Sequence, residues 1–569
     1  MSCARFRGGD ITERVGRIFG RPDHKQKGHH MTSQESSAET LSVLRAAAAG
    51  NATEPERGKR AGGLRIKGAG FESEIGEHWG ESPREEVRRS PLADDAAKHR
   101  DDFAASLPGE RLVIPAGAIR FRTNDVTYNF RASTPFAHLT GLGGDIEPGP
   151  VLVIDPVVRE DGAVGHRDTL YVAPPIGHDD RRFYADAMHG EFWVGPAPTL
   201  ADFETMTGIE TRDIAELKEA VARNAGADGL RVRVFRGADP AVEALVDAVR
   251  EESGLGGKTA NLPLDLVLEE REDELRIIKT PAEIEQIRQA IRATERGFER
   301  VADIISLAPK VKRGERLIEG VFTGSCRMEG NDVSFETVVG SGRRSTFLHY
   351  MINNHPVSDG DVVVLDAGAE SQYLYAADVT RTLPVNGHYS PAQRRVAQAV
   401  LDASNAAIAA ANKPGARYRD LMAAAMASVA HSLEDMGILP VSAEESLKPD
   451  GQQHCRWLYH GTGHHLGLDC HDAQHARDEY YPDAELKPGM VFTMEPGLYF
   501  HDNDLLVPEE YRGIGVRLED DLLVTDSGEV VILSDGVPRS TEGIEAWMAM
   551  HSPDRYIADL TGYDPSLAN

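Results

Sequence analysis

The sequence predicts an α/β domain over residues 90–272, followed over 275–550 by an α+β domain whose helices cover one face of an antiparallel sheet. Three observations lead to this reading. Two capping boxes with proline at the first helical position, Thr280-Pro-Ala-Glu283 and Ser390-Pro-Ala-Gln393, open long amphipathic stretches. Between those stretches, apolar β-branched runs read as paired strands, the clearest being 362–366, a turn, and a second strand ending near Thr382. Ahead of them, short strands alternate with helical patterns.

Length and composition bound the rest. At 569 residues the chain is too long for one core. With 62 basic against 91 acidic residues its formal charge is -29, which argues against a nucleic-acid or anionic-membrane partner. The four cysteines, Cys3, Cys326, Cys455 and Cys470, lack paired metal spacing and suit a reducing compartment. No apolar run reaches the ~18 residues of a membrane span. The Arg- and His-rich beginning lacks the apolar middle of a secretory signal, so the cytoplasm is the expected location.

Taken in order, residues 1–85 are Gly-, Ser-, Glu- and Arg-rich with few aromatic or β-branched residues, and read as a disordered tail. Met31 is left open as a start. A helix is expected over 92–105, with strands over 111–115, 151–154, 169–173 and 230–235. Residues 239–253 read as a helix with Val242, Leu245 and Val249 on one face. The glycines of Gly254-Leu-Gly-Gly-Lys258 read as a loop without the spacing of a phosphate-binding P-loop. From Thr280 a helix carries Ile284, Ile287, Ile291 and Phe298. The helix from Ser390 stops at Lys413-Pro-Gly415, and a third, with Leu421, Val429, Leu433 and Met436, ends at Gly437. Residues 551–569 read as a C-terminal tail.

The chemistry sits between those helices. Each apolar run of the 361–382 segment closes on an aspartate, Asp366 and Asp378. Two buried carboxylates repel each other and lose hydration, so a cation between them fits, and so does a pair of turn-capping aspartates. A lone His349 follows the Gly-rich segment 339–342 and alone would be structural. The run from His460 to His471 places four histidines, His460, His464, His465 and His471, in twelve residues; Gly461 and Gly463 make it a tight loop rather than a metal-binding helix. Glu495 and Glu519 lie in or beside apolar strands, where a lone carboxylate calls for a cation. Arg517 and Glu519 share a strand face, which also fits a surface ion-pair ladder.

Together these residues identify 275–550 as similar to the catalytic domain of the metallopeptidase family containing methionine aminopeptidase, aminopeptidase P and prolidase, the pita-bread fold. Residues from about 95 to 270 resemble the smaller N-terminal domain of aminopeptidase P, prolidase and creatinase, on Phe136-Ala-His-Leu-Thr-Gly141 and the order of elements. The run from Val507 to Asp521 is especially close to bacterial aminopeptidase P. Two departures stand out. Asp366 and Asp378 enclose eleven residues where the family has ten, so an extra residue is expected near Ser371-Gln372. Ala137 falls where bacterial aminopeptidase P tends to carry tryptophan.

The resemblance implies two divalent metal ions, Mn2+ by preference, on Asp366, Asp378, His464, Glu495 and Glu519. It implies Glu495 as proton shuttle, His349 and His471 at the developing oxyanion, His460 beside a proline, and Arg517 orienting Glu519 or its neighbours. The implied activity is release of the N-terminal residue from Xaa-Pro peptides by a dimer or tetramer. A prolidase acting on dipeptides, and an inactive pita-bread binding module, are the alternatives. The short segment between Glu495 and Glu519 favours the aminopeptidase, because its only arginines are Arg512 and Arg517 and a dipeptidase needs a cation for the substrate's terminal carboxylate.

Overall fold

A computed structural model describes residues 68–74, 76–84, 86–158, 162 and 164–561. Most of the tail expected over 1–85 lies outside these residues. The part within them is packed: Trp79 stacks on His178 and meets Phe183 edge-on, and Ser82 Oγ donates to Glu191 at 2.8 Å. The C-terminal stretch also differs from a tail. A helix, Pro553–Thr561, is held through Asp559, whose carboxylate accepts from Arg300 Nε at 2.8 Å.

The first domain is built on a five-stranded mixed sheet. Its strands are β1 (Glu110–Pro115), β2 (Val151–Val158), β3 (Val164–Val172), β4 (Glu210–Asp213) and β5 (Arg231–Val234), in spatial order β4-β3-β2-β1-β5. The two inner pairings are antiparallel and the two outer ones parallel. Alternating strand residues point to opposite faces, so each face needs a cover. Helices α1 (Ala93–Ser106) and α2 (Thr134–Thr140) supply Phe103, Phe136 and Leu139 to one side. Helix α3 (Pro240–Glu252) supplies Val242, Leu245, Val246 and Val249 to the other.

Helix α4 (Lys258–Arg276) runs through the 272–275 junction without a break. Its buried face is largely polar, with Asn261, Asp265, Glu272, Asp273 and Arg276, so apolar periodicity cannot reveal it.

The second domain holds two helix pairs, the first covering one antiparallel sheet and the second covering two. Helices α5 (Pro281–Ile304) and α6 (Gly314–Glu329) cover β6 (Val338–Ser341), β7 (Val362–Ala367) and β8 (Val379–Pro384). Helices α7 (Pro391–Ala411) and α8 (Tyr418–Asp435) cover β9 (Val491–Met494), β10 (Gly497–Phe500), β11 (Ile514–Arg517), β12 (Asp520–Val524) and β13 (Val530–Ile532). Both capping boxes form: Thr280 Oγ1 accepts from Glu283 N at 3.3 Å, and Ser390 Oγ from Gln393 N at 3.2 Å. A backbone bridge between Thr380 and Glu519 joins the ladders. Among the described residues no helix is long and apolar enough to cross a membrane.

Candidate metal centre

β7 and β8 pair antiparallel with Asp366 opposite Thr380, so Asp366 stands one residue before the end of β7 and Asp378 just ahead of β8. The hairpin between them narrows at Gly368, where a Cβ would run into the Ala377 carbonyl oxygen. It turns over Ser371 to Tyr375, with Ser371 N donating to the Tyr375 carbonyl at 2.8 Å. Leu374 takes φ +68° in that turn. The register expected at the two aspartates thus coexists with a compact turn near Ser371-Gln372.

The histidine loop is laid along β9. Thr493 N donates to the His464 carbonyl at 2.8 Å, and Glu495 N to the Thr462 carbonyl at 2.9 Å. Gly463 permits this approach, because a Cβ there would overlap the Thr493 carbonyl. His464 Nδ1 donates to the His465 carbonyl at 3.1 Å, which fixes the tautomer and turns Nε2 inward. Nε2 then lies 3.4 Å from Asp378 Oδ2, 3.7 Å from Glu495 Oε1 and 4.0 Å from Glu519 Oε1. The five residues expected to hold metal therefore converge from a hairpin, a loop and the ends of two strands. Their ligand atoms fall in overlapping sets, Asp366–Asp378–Glu519 and His464–Glu495–Glu519, with atoms in each set within 4.8 Å of one another.

The electrostatics leave a gap of the right sign. Asp378 Oδ1 and Glu519 Oε1 are buried without a hydrogen-bond partner. The Thr380 hydroxyl lies 2.9 Å from Asp366 Oδ1 and 2.8 Å from Glu519 Oε2, so one proton serves two carboxylates. Burial, then repulsion from Asp378 and Glu495, push Glu519 well above the usual carboxylate range. Burial takes Glu495 up to about 7. Asp366 is also raised by burial, against the pull of Arg517. Asp378 alone is lowered, since the hydrogen bond and charge of His464 and the Cys470 thiol overcome burial. Four carboxylates and one imidazole, with two buried oxygens unsatisfied, fit a site for hard divalent cations.

Arg517 is 4% exposed, so it is no part of a surface ladder. Its guanidinium pairs with Asp366 and not with Glu519, which is held instead by Thr380. Arg517 Nη1 also donates to the Tyr499 hydroxyl at 3.1 Å, and that hydroxyl lies 2.9 Å from His460 Nε2. His460 Nδ1 donates to the Gly461 carbonyl at 2.6 Å, leaving Nε2 as the acceptor for Tyr499. Burial and Arg517 hold His460 down to about 4, so it is neutral. His471 is exposed, with its ring 4.1 Å from that of His464. His349 is exposed on the loop after 342–346, and burial is the largest cause that lowers His471. Arg512 Nε donates to the Val507 carbonyl at 2.8 Å.

Three site residues escape sequence reasoning. Thr380 lies two residues from Asp378, the spacing of one strand face, and that signal could have found it. Cys470 adjoins His471, and its thiol donates to Asp378 Oδ2 at 2.9 Å. Nothing local marks Tyr499 as the link between Arg517 and His460. The first domain braces the same loop: Arg131 Nη2 donates to the Leu468 carbonyl and Thr134 Oγ1 to Asp469 Oδ1, both at 2.6 Å.

The sequence profile of metallopeptidase family M24 matches residues 285–526, and that of the aminopeptidase P N-terminal domain matches 96–231. Xaa-Pro aminopeptidase 2 of Streptomyces coelicolor is 42% identical over 471 residues, covering 83% of this chain and 94% of that protein. The structure of aminopeptidase PepP from Pseudomonas aeruginosa superposes with a TM-score of 0.67 at 27% identity, covering 81% of this chain and 99% of its own. Zinc-substituted aminopeptidase P of E. coli in complex with product is similarly close, at 27% identity and a TM-score of 0.66.

Proposed function

Because this chain belongs to metallopeptidase family M24 and carries the aminopeptidase P N-terminal domain, we infer that it is an Xaa-Pro aminopeptidase. It is a metallo-aminopeptidase that releases the N-terminal residue from peptides with proline in second place. The observation that carries this is the convergence of Asp366, Asp378, His464, Glu495 and Glu519 around unsatisfied buried oxygens.

Those five residues would hold two divalent cations, and the oxygen-rich donor set favours Mn2+. When bound, the cations supply Lewis acidity to the scissile carbonyl and lower the pKa of water at the site. Arg517 fixes the orientation of Asp366 and, through Tyr499, that of His460. Glu495 holds and passes the proton at its Oε2, which lies 3.7 Å from His460 Nδ1. His349 and His471, on the open side, donate to the carbonyl oxygen as negative charge develops there. His460, kept neutral, packs beside the proline. Residues 90–272 and 275–550 are assigned as the N-terminal and catalytic domains, in a cytoplasmic homo-oligomer.

The test is hydrolysis of an Xaa-Pro dipeptide against Xaa-Pro-Yaa and Xaa-Pro-Yaa-Zaa peptides, with and without Mn2+ after chelation. Release of the first residue from the longer peptides, restored by Mn2+, is expected. Cleavage of the dipeptide alone would make the protein a prolidase.

A further inference from the structure

The hairpin and the loop that carry the metal-site residues are joined from outside by one guanidinium of the first domain. Arg131 stands just ahead of α2, and its side chain reaches across the domain junction. Its Nε donates to Glu370 Oε2 at 2.5 Å. Its Nη2 donates to the Leu374 carbonyl at 3.3 Å and to the Leu468 carbonyl at 2.6 Å. Glu370 precedes the turn between Asp366 and Asp378 and Leu374 lies in it, whereas Leu468 lies between His464 and His471. A single nitrogen thus bridges the aspartate hairpin and the histidine loop.

The neighbouring contacts grip the same two segments. Thr134 Oγ1 donates to Asp469 Oδ1 at 2.6 Å. Gly144 N donates to the Gln372 carbonyl at 2.9 Å, and a Cβ on Gly143 would overlap that carbonyl oxygen. The Tyr375 hydroxyl donates to Glu283 Oε1 at 2.7 Å, an oxygen that His99 and His138 of the first domain approach to 3.2 and 3.6 Å. The hairpin and the loop also meet directly, Ala376 N donating to the Gly467 carbonyl at 2.8 Å.

We propose that Arg131 is a positioning residue of the metal centre, holding the hairpin of Asp366 and Asp378 against the loop of His464 and so setting metal affinity. The inference rests on the metal site proposed above and gives the N-terminal domain a share in it. In the metal-free protein the crowded carboxylates repel one another, which favours spreading of the hairpin from the loop. A brace across both raises the fraction of molecules ready to bind, and apparent affinity rises with that fraction. A planar guanidinium suits the task, because its fixed fork answers a carboxylate and two carbonyls at once. A lysine ammonium could pair with Glu370 but would not hold both carbonyls in one geometry. The hydrogen bonds of Arg131 go to none of the five ligands, so its replacement acts on metal binding and not on the chemical step.

The experiment compares the full-length chain with Arg131→Lys and Thr134→Val after chelation, titrating Mn2+ and following the free ion by electron paramagnetic resonance. Arg131→Lys keeps a cation opposite the buried Glu370. Thr134→Val leaves no charge behind, so it decides the matter if the lysine variant fails to fold. Mn2+ affinity about tenfold weaker is expected for Arg131→Lys, with a smaller loss in the same direction for Thr134→Val. Amide exchange over 371–375 and 466–469 should be faster in the metal-free variants. At saturating Mn2+, kcat and KM for an Xaa-Pro-Yaa peptide should return close to those of the parent chain. A lower metal-free midpoint with unchanged Mn2+ affinity would mean that Arg131 only fastens the domains, and overturns the proposal. A parent chain that binds no Mn2+ overturns the metal site and this inference together. Equal Mn2+ binding by the parent and both variants overturns this inference alone.

Discussion

The Arg517 guanidinium pairs with Asp366, a residue 151 positions earlier, and not with Glu519 two positions away. Both groups are buried, so this contact orders the centre more than a surface pair could. It sets the carboxylate of β7 against the end of β11 and leaves Glu519 to the Thr380 hydroxyl.

Replacing Arg517 should therefore act through metal affinity. Arg517→Lys keeps the charge but loses the planar fork that serves Asp366 and Tyr499 together. We expect about 10- to 100-fold weaker metal binding, with much of the activity recovered at high Mn2+. Activity that stays low at saturating metal would show that Arg517 acts on the substrate instead.

Asp378→Asn should lose metal and more than about a hundredfold in activity. The fold should survive, because removing one of four crowded carboxylates relieves repulsion in the metal-free protein. Metal analysis, kcat/KM and a melting curve test this together. Full activity with two metals bound would dismiss the residue as a ligand.

Gly368→Ala should disturb both aspartates at once. The added methyl meets the Ala377 carbonyl in the middle of the hairpin, an overpacking cost of about 1–3 kcal/mol. A lower thermal midpoint together with weakened metal binding is expected. An unchanged midpoint would mean that the hairpin opens more easily than its contacts suggest.

His166, on β3 of the first domain, offers a pH test. Its Nδ1 meets Asp168 at 2.8 Å and its Nε2 meets Asp101 at 2.7 Å. The hydrogen bond to Asp168 raises the His166 pKa against partial burial. Asp168 is lowered, burial being outweighed by His166 and Arg100. A raised histidine stabilises fully below its unfolded value, about 6.5, and loses that stabilisation as pH rises through the folded value. A lowered aspartate stabilises above its unfolded value, about 3.9, and loses that as pH falls. The pair thus contributes most between about pH 4 and 6.5, by under about 1 kcal/mol given its exposure. The midpoint deficit of His166→Gln should be largest near pH 5–6 and shrink toward pH 9. A deficit that grows across that range contradicts the assignment.

Local chemistry made much of this protein legible. The boxes at Thr280 and Ser390 form because each satisfies helix-end donors within four residues. The hairpin of Asp366 and Asp378 was visible as two apolar runs with a turn between them. Loop glycines at 461 and 463 marked the histidine run as non-helical, and Gly463 is pressed against the Thr493 carbonyl. Such features depend on neighbours in the chain, so the sequence by itself determined them. Helix α4 stayed hidden because its buried face is filled by Glu272, Asp273 and Arg276, which pair with one another and with His138, His475 and Asp472 instead of forming an apolar stripe. Only the tertiary structure decided that Arg517 would serve Asp366, that Thr380 would sit between Asp366 and Glu519, and that His99 and His138 would meet Glu283. Buried polar groups must find partners wherever the packed chain supplies them, and those partners carry no fixed spacing in the sequence.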